Sequence, residues 1–397
     1  MKTVRSLSLG SGRLGWLALM LAIYLLLTSY QLGLPGLHYD EAREAGLNAM
    51  ELLTGAPVTA FRASTLSIGT YQLPLMVQDY IGALNVYLAL PVLWASGIGV
   101  PNLRLVAILT GLLTLLLLER AMAQWMAFLK PENARTGRLP LSLPGLIAVT
   151  LLAAAPSFVF WSRQGIFVTN LTQPLTFWCI GQALCWLRTG QRQALLRSAF
   201  AGGCALYAKL LAIWVIGPFV LLAGGWWLWQ RARNQPAPPL AWPLGVGMIL
   251  AFLTPLLPLI FFNWQNGGTW NALTGNLETS YYGVENSAMV ANIGVRARQL
   301  LQTLQGSHFW YLGGLASNSL APWLALGSLI LGLWRRPRWV WGPVLLLAAA
   351  WFCSLFTLSD LFITHYALVH PLLIAVIALA LTTLFHSLGA RRLYRLH

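Results

Sequence analysis

The chain has 397 residues, of which 57% are hydrophobic and 9% charged, with a mean hydropathy of +0.66. A soluble surface needs roughly 25% charged residues, so a soluble globular protein is excluded and lipid must be the main solvent. The formal charge of +15 would suggest a polyanion in a soluble domain. Here the basic residues stand in short runs between apolar stretches, as cytoplasmic loops do, so no nucleic acid partner is expected.

Apolar stretches of spanning length recur from Leu14 to His386. At about 20 residues per span they predict an all-α, polytopic integral membrane protein of about ten transmembrane helices, a single membrane domain over 1–397. The first stretch, 14–34, follows Lys2, Arg5 and Arg13 like a signal peptide. It is too long for an h-region and no A-x-A site follows, so it reads as a retained span. The positive-inside rule puts the basic clusters at 2–13, 120–138, 188–197, 231–233, 335–338 and 391–395 in the cytoplasm. The remaining loops are then outside: the first outer loop at 35–83, short turns near Arg163 and Lys209, a long loop at 265–308, and 359–365. Eight of the ten acidic residues fall there. Two full crossings between 82 and 118 would invert every later loop, so 82–96 is expected to be a re-entrant or interfacial helix. The stretch 198–229 is longer than one span and holds Lys209, so it reads as two short helices meeting at the outer surface. Tryptophans flank many span ends as an interfacial belt would. The four cysteines lie inside apolar stretches and carry no metal-ligand spacing.

The loop after the first span opens Gly36-Leu-His-Tyr-Asp-Glu-Ala-Arg-Glu, putting Asp40 and Glu41 just beyond a membrane exit. Ala42, Ala45, Ala49, Leu52 and Leu53 then recur at helical spacing, predicting a short interfacial helix with Asp40 at its N-terminus. There Asp40 can cap the helix, worth about 1 kcal/mol. It can equally act as general base, or bind a metal, for a reaction between a lipid-borne group and an acceptor hydroxyl. Outer basic residues are Arg43, Arg62, Arg163, Lys209, Arg296 and Arg298, with Arg104 added if 82–96 is re-entrant. Lys209, flanked by Tyr207-Ala208 and Leu210-Leu211, is costly in hydrocarbon and either faces an anion, pairs with a carboxylate or snorkels. Arg163 has the fork that suits phosphate, or is simply solvated. His365 beside Tyr366 can donate to phosphate or pack at the interface. Tyr282, Glu285 and Asn286 in the long loop can bind a sugar or be ordinary loop residues. No metal-ligand spacing is visible, although a divalent metal assembled from distant loops stays open. No nucleotide-binding glycine loop occurs, so a nucleotide sugar is not expected.

Several short motifs stand in a consistent order: Asp40-Glu41 after the first span, 75–88 leading into Gly99-Val-Pro-Asn-Leu-Arg-Leu, Ser162-Arg163 after Pro156, Lys209 after Gly202-Gly203, and Thr364-His365-Tyr366 before Pro371. Together the chain resembles the GT-C glycosyltransferases, especially the protein O-mannosyltransferase and lipid A aminoarabinose transferase-like group. It departs from that group at Gln78-Asp79-Tyr80, where a Lys-Pro-Pro stretch is usual, and at Thr169-Asn170, where an acidic residue is common. The resemblance implies sugar transfer from a polyprenyl-phosphate donor to a lipid, glycan or protein acceptor, on the outer face of a bacterial inner membrane. The implied catalytic residues are Asp40 and Glu41, with Lys209, Arg163, His365, Tyr282, Asn286 and Asp79 binding substrate. The competing reading is a transporter or lipid flippase, which needs polar groups along both half-channels and often shows inverted repeats; none is evident. A third is an inactive scaffolding relative.

Overall fold

The computed structural model describes residues 2–129, 139–164, 169–278, 288–307, 317–357 and 362–394. The chain is an all-α polytopic membrane bundle. Helix α1 (Lys2–Ser29) leads into the first loop, whose helical stretch consists of α2 (Tyr39–Glu41), a π-helical turn (Ala42–Gly46) and α3 (Leu47–Thr54). Two antiparallel ribbons that sequence reading did not anticipate follow: β1 (Thr65–Ile68) with β2 (Tyr71–Pro74), and β3 (Met76–Gln78) with β4 (Ile81–Gly82). The bundle continues with α4 (Leu84–Ser96), α5 (Val100–Leu129), α6 (Leu143–Ala153), α7 (Pro156–Gln164), α8 (Thr169–Thr189), α9 (Arg192–Ala208) and α10 (Ile213–Ala232). It closes with α11 (Trp242–Leu253), α12 (Leu257–Asn266), α13 (Gly268–Glu278), α14 (Met289–Gln305), α15 (Ala321–Arg335), α16 (Pro337–Cys353), a 3-10 turn (Ile363–Ala367) and α17 (His370–Tyr394).

The largest core cluster joins Tyr24 of α1, Leu115 and Leu118 of α5, Val149 and Leu152 of α6, and Ala378 of α17. Lipid is as apolar as leucine, so helices in it associate through close packing of small residues. A Cβ on Gly332 would lie 2.7 Å from that of Ala380, and one on Gly203 would overlap the Phe252 carbonyl. By contrast, only 6% of the most apolar window across α11 and α12 is buried, so that pair faces lipid.

Among the described residues, four helices are long and apolar enough to cross a membrane, five if the pair α6 and α7, bent by 67°, is one span. Ten crossings were expected; the difference lies in helices that are shorter or broken, such as α15 with 15 residues and α9 with 17. The 198–229 stretch is split at Lys209, as expected. The stretch 265–308, expected as a long loop, is largely helical where it is described, through α13 and α14.

Helix α4 has 13 residues, about 20 Å at 1.5 Å per residue, against the roughly 30 Å hydrocarbon layer. Its neighbour α5 starts where α1 ends, because the Arg104 guanidinium donates to Leu32 O at 2.6 Å and Gly36 O at 3.1 Å. The chain therefore leaves α1 and enters α5 at the same end of the bundle, which fits α4 as a non-crossing helix. The same guanidinium grips Glu41 through both carboxylate oxygens, at 2.8 and 2.9 Å, with both side chains buried. Removing one partner of such a pair leaves an uncompensated buried charge. Glu41→Gln should cost about 3–5 kcal/mol of stability, whereas Glu41→Leu with Arg104→Met should recover most of it; thermal unfolding in detergent reads both.

A candidate active site at the first-loop end of the bundle

The first-loop helix begins at His38, not at Asp40. His38 Nδ1 accepts the Asp40 amide at 3.2 Å, and Glu41 Oε2 accepts the His38 amide at 2.9 Å, a reciprocal capping box. His38 Nδ1 also lies 3.7 Å from Asp40 Oδ2. Asp40 is thus freed from capping, with a side chain 29% exposed. The π-helical turn then places Glu41, Glu44, Asn48 and Glu51 on the buried face together with Ala45 and Ala49. Such turns concentrate at functional sites. The carboxylates divide by what they hold. Glu41 is committed to Arg104 and the cap. Glu51 Oε2 accepts Asn48 Nδ2 at 2.8 Å and the Thr59 amide at 2.9 Å. The charges of Glu44 and Asp40 act on Lys209.

Lys209 occupies the break between α9 and α10, in extended backbone. Interrupting the helix frees the Leu210 amide, which donates to Tyr80 O at 3.0 Å and ties the break to the first loop. Tyr207 secures the same contact: its hydroxyl donates to Leu75 O at 2.8 Å and accepts the Ala83 amide at 3.2 Å. Gly82 is required there, since a Cβ would overlap the Tyr207 carbonyl. Lys209 is 3% exposed. Burial pulls its pKa down, while Glu44 and then Asp40 oppose that shift.

His365, in the 3-10 turn before α17, is also buried. Burial, followed by the charges of Lys209 and Arg296, holds its pKa well below the ordinary value. Lys209 and Arg296 are thus both near enough to act electrostatically on His365. Arg296 is fully buried on α14, donating through Nε to Ser354 O at 2.8 Å and through Nη1 to Gln299 Oε1 at 2.8 Å. Its guanidinium lies over Trp214 at 5.3 Å and Tyr366 at 5.4 Å, and the His365 ring meets the edge of Trp214 at 5.9 Å. Helix α14 is amphipathic in the inverted sense: Asn292, Arg296, Gln299 and Thr303 are buried while Val290, Ile293, Val295 and Leu301 are exposed.

Among the residues expected from sequence, Asp40, Lys209 and His365 thus come together. Arg163 lies elsewhere: its Nη2 donates to Gln31 O at 2.7 Å and Leu34 O at 3.1 Å, beside Arg104 at the end of α1. Asp79 is held by Arg62 through two contacts of 2.8 and 3.0 Å, and its carbonyl accepts the Thr269 hydroxyl, joining the first loop to α13. Tyr282, Glu285 and Asn286 lie outside the described residues. Glu44 was not a predicted site residue, and Arg296 was named only as an outer basic residue. The i, i+4, i+7, i+11 spacing of Asn292, Arg296, Gln299 and Thr303 was the available signal for α14. Among the described residues, no group of three or more His, Cys, Asp or Glu is placed to hold a metal.

The fold of this chain, a helical membrane bundle whose first loop carries a carboxylate-bearing helix onto a broken span, is similar to one known from solved structures. It is seen in ArnT, the lipid A aminoarabinose transferase, from Cupriavidus metallidurans. The crystal structure of that protein bound to undecaprenyl phosphate matches with a TM-score of 0.59 and 17% identity, over 93% of this chain and 60% of that one. Its apo structure matches with a TM-score of 0.57 and 16% identity over the same shares. The chain thus spans 60% of that protein's length. No protein-family model matches, and no curated protein matches.

His365 makes a pH prediction. Between its lowered folded pKa and about 6.5, the unfolded chain binds a proton that the folded chain does not, so stability falls as pH drops through that window. Thermal unfolding from pH 7.5 to 5.5 should show a smaller acid-side loss for His365→Gln than for the wild-type protein.

Proposed function

We propose that the chain is a membrane glycosyltransferase that moves a sugar from a polyprenyl-phosphate carrier to an acceptor hydroxyl, at the outer face of a bacterial inner membrane. The observation that carries this is the grouping of Lys209, Arg296 and His365, all buried, with the partly exposed Asp40 acting on Lys209. Buried cations at the end of a membrane bundle call for an anion, and a lipid phosphate is one whose tail can remain in the bilayer. The ArnT structure bound to undecaprenyl phosphate supports that choice. So does an apolar cavity of about 710 Å³ between α8, α9, α10 and α11, whose lining residues Leu206 and Ile213 bracket the Lys209 break.

In the proposed reaction Asp40 accepts the proton of the attacking hydroxyl as the new bond to the anomeric carbon forms and the bond to the phosphate oxygen breaks. The charge that develops on the departing phosphate is met by Lys209 and Arg296 and by an N–H of neutral His365, already in place before reaction. The charge of Glu44 opposes the burial that disfavours a charged Lys209. Glu41 and Arg163 are proposed as positioning residues, since both hold the segment between α1 and the first loop. Asp79 is proposed to hold the loop on α13. Tyr282 and Asn286 remain proposed sugar-binding residues. The transporter reading would need charges along a path. Among the described residues the buried acid away from the first-loop end is Glu119, whose Oε1 accepts the Ser142 amide at the start of α6.

Purified protein in nanodiscs, given radiolabelled polyprenyl-phosphate sugars, separates binding from turnover. Asp40→Asn should bind donor within about twofold of wild type and lose about 10²–10⁴-fold in turnover. Lys209→Met should weaken donor binding about 10–100-fold, the loss of a charge-assisted contact. Equal binding by wild type and Lys209→Met would remove the phosphate site.

A further inference from the structure

The geometry points to Gln173 as the positioning residue that sets His365, a role that rests on the donor-site reading above. Gln173 lies on α8 and is 1% exposed. Its Nε2 donates to Ala367 O at 2.7 Å, across 194 residues of sequence. Ala367 ends the 3-10 turn that carries His365 two residues earlier. A carbonyl oxygen can only accept, so the amide must present its nitrogen to the turn, and its orientation is fixed. The other N–H points to Asn170 Oδ1 at 3.4 Å, and Asn170 Nδ2 donates to Trp161 O at the end of α7. One amide pair thus joins α7, α8 and the His365 turn.

Two of the backbone bonds at the ends of the turn are long: the His365 amide donates to Phe362 O at 3.2 Å and the Leu368 amide to His365 O at 3.3 Å. A 3-10 turn has poorer hydrogen-bond geometry than an α-helix and takes its position from what it packs on. The contacts on its other side belong to the site: Tyr366 lies under Arg296, and the His365 ring meets Trp214. Gln173 supplies a hydrogen bond from behind, at the carbonyl where the turn passes toward α17. Without it, the His365 ring would lose its fixed distance from Lys209 and Arg296. Among the described residues nothing donates to the buried Gln173 Oε1, and its hydrogen bonds run through its nitrogen. A substitution that removes the donor therefore removes its connection to the turn.

The test is a double-mutant cycle on polyprenyl-phosphate binding by the full chain in nanodiscs. Gln173→Met, which keeps a straight side chain without donors, should weaken binding about 3–10-fold; in a His365→Ala background it should change binding less than about twofold. Combined with Asp40→Asn, its effect should be undiminished. Gln173→Asn keeps both N–H groups but is one methylene too short to reach Ala367, and the same result is expected; it serves if the methionine variant fails to fold. The inference is overturned if Gln173→Met and Gln173→Asn lose affinity equally with and without His365, or lose none. If His365→Ala alone leaves binding unchanged, the donor-site reading fails and takes the inference with it, an outcome distinct from additivity.

Discussion

An ammonium ion is costly to bury at the edge of a hydrocarbon layer, and Lys209 is buried where two membrane helices break. It is tolerable there because a separate element turns carboxylates toward it. Glu44 and Asp40 act on Lys209 from the first-loop helix, and that helix can approach because Leu210 and Tyr207 hydrogen-bond to the loop at Tyr80, Leu75 and Ala83. The break, the loop and the charge are therefore one arrangement. A continuous helix through Lys209 would leave Tyr80 O without its donor and take the ammonium away from its carboxylates.

Around that arrangement the polar residues separate into those that hold the structure and those left for chemistry. Arg104 uses its whole fork on Glu41 and two carbonyls. Arg62 and Asp79 neutralise one another. Glu51 ties the end of the first-loop helix to Thr59. Asp40 and Glu44 act electrostatically on Lys209, and Lys209 and Arg296 act on His365, while Arg296 also holds Ser354 O and Gln299. In the proposed reaction that pairing of opposite charges is useful: the carboxylate takes a proton from an acceptor while the cations receive a departing phosphate. Because burial and two neighbouring cations disfavour the charged form of His365, it contributes a hydrogen-bond donor without adding a third positive charge.

Much of this was legible in the sequence where a residue broke the local rule. Lys209 is conspicuous because its neighbours are apolar, and the Asp40-Glu41 pair because it follows a span so closely. His365 was visible as a polar residue at a span entrance. The parts that were not legible depend on distant partners. Glu41 reads as a catalytic candidate until Arg104, 63 residues on, is seen gripping it. Arg296 was counted among the outer basic residues, but its burial was not legible because its stretch has the polarity of a loop; only the helical spacing of Asn292, Arg296, Gln299 and Thr303 shows that the polar face turns inward. The ribbons at 65–82 are short, and Gly82 is chosen for its approach to Tyr207, a contact no local pattern encodes. Bends and breaks divide apolar stretches that hydropathy reads as continuous, so among the described residues few single helices reach spanning length.

The measurement that bears most directly on the account uses a polyprenyl phosphate with a photoreactive group next to its phosphate. It would be crosslinked to the wild-type protein in nanodiscs, and the adducts mapped by mass spectrometry. The expected result is labelling of Trp214, Tyr366 and the neighbourhood of Lys209, abolished by unlabelled polyprenyl phosphate. Labelling spread over the lipid-facing helices α11 and α12, unaffected by competitor and no stronger than with a photoreactive phospholipid, would contradict a donor phosphate held by Lys209, Arg296 and His365.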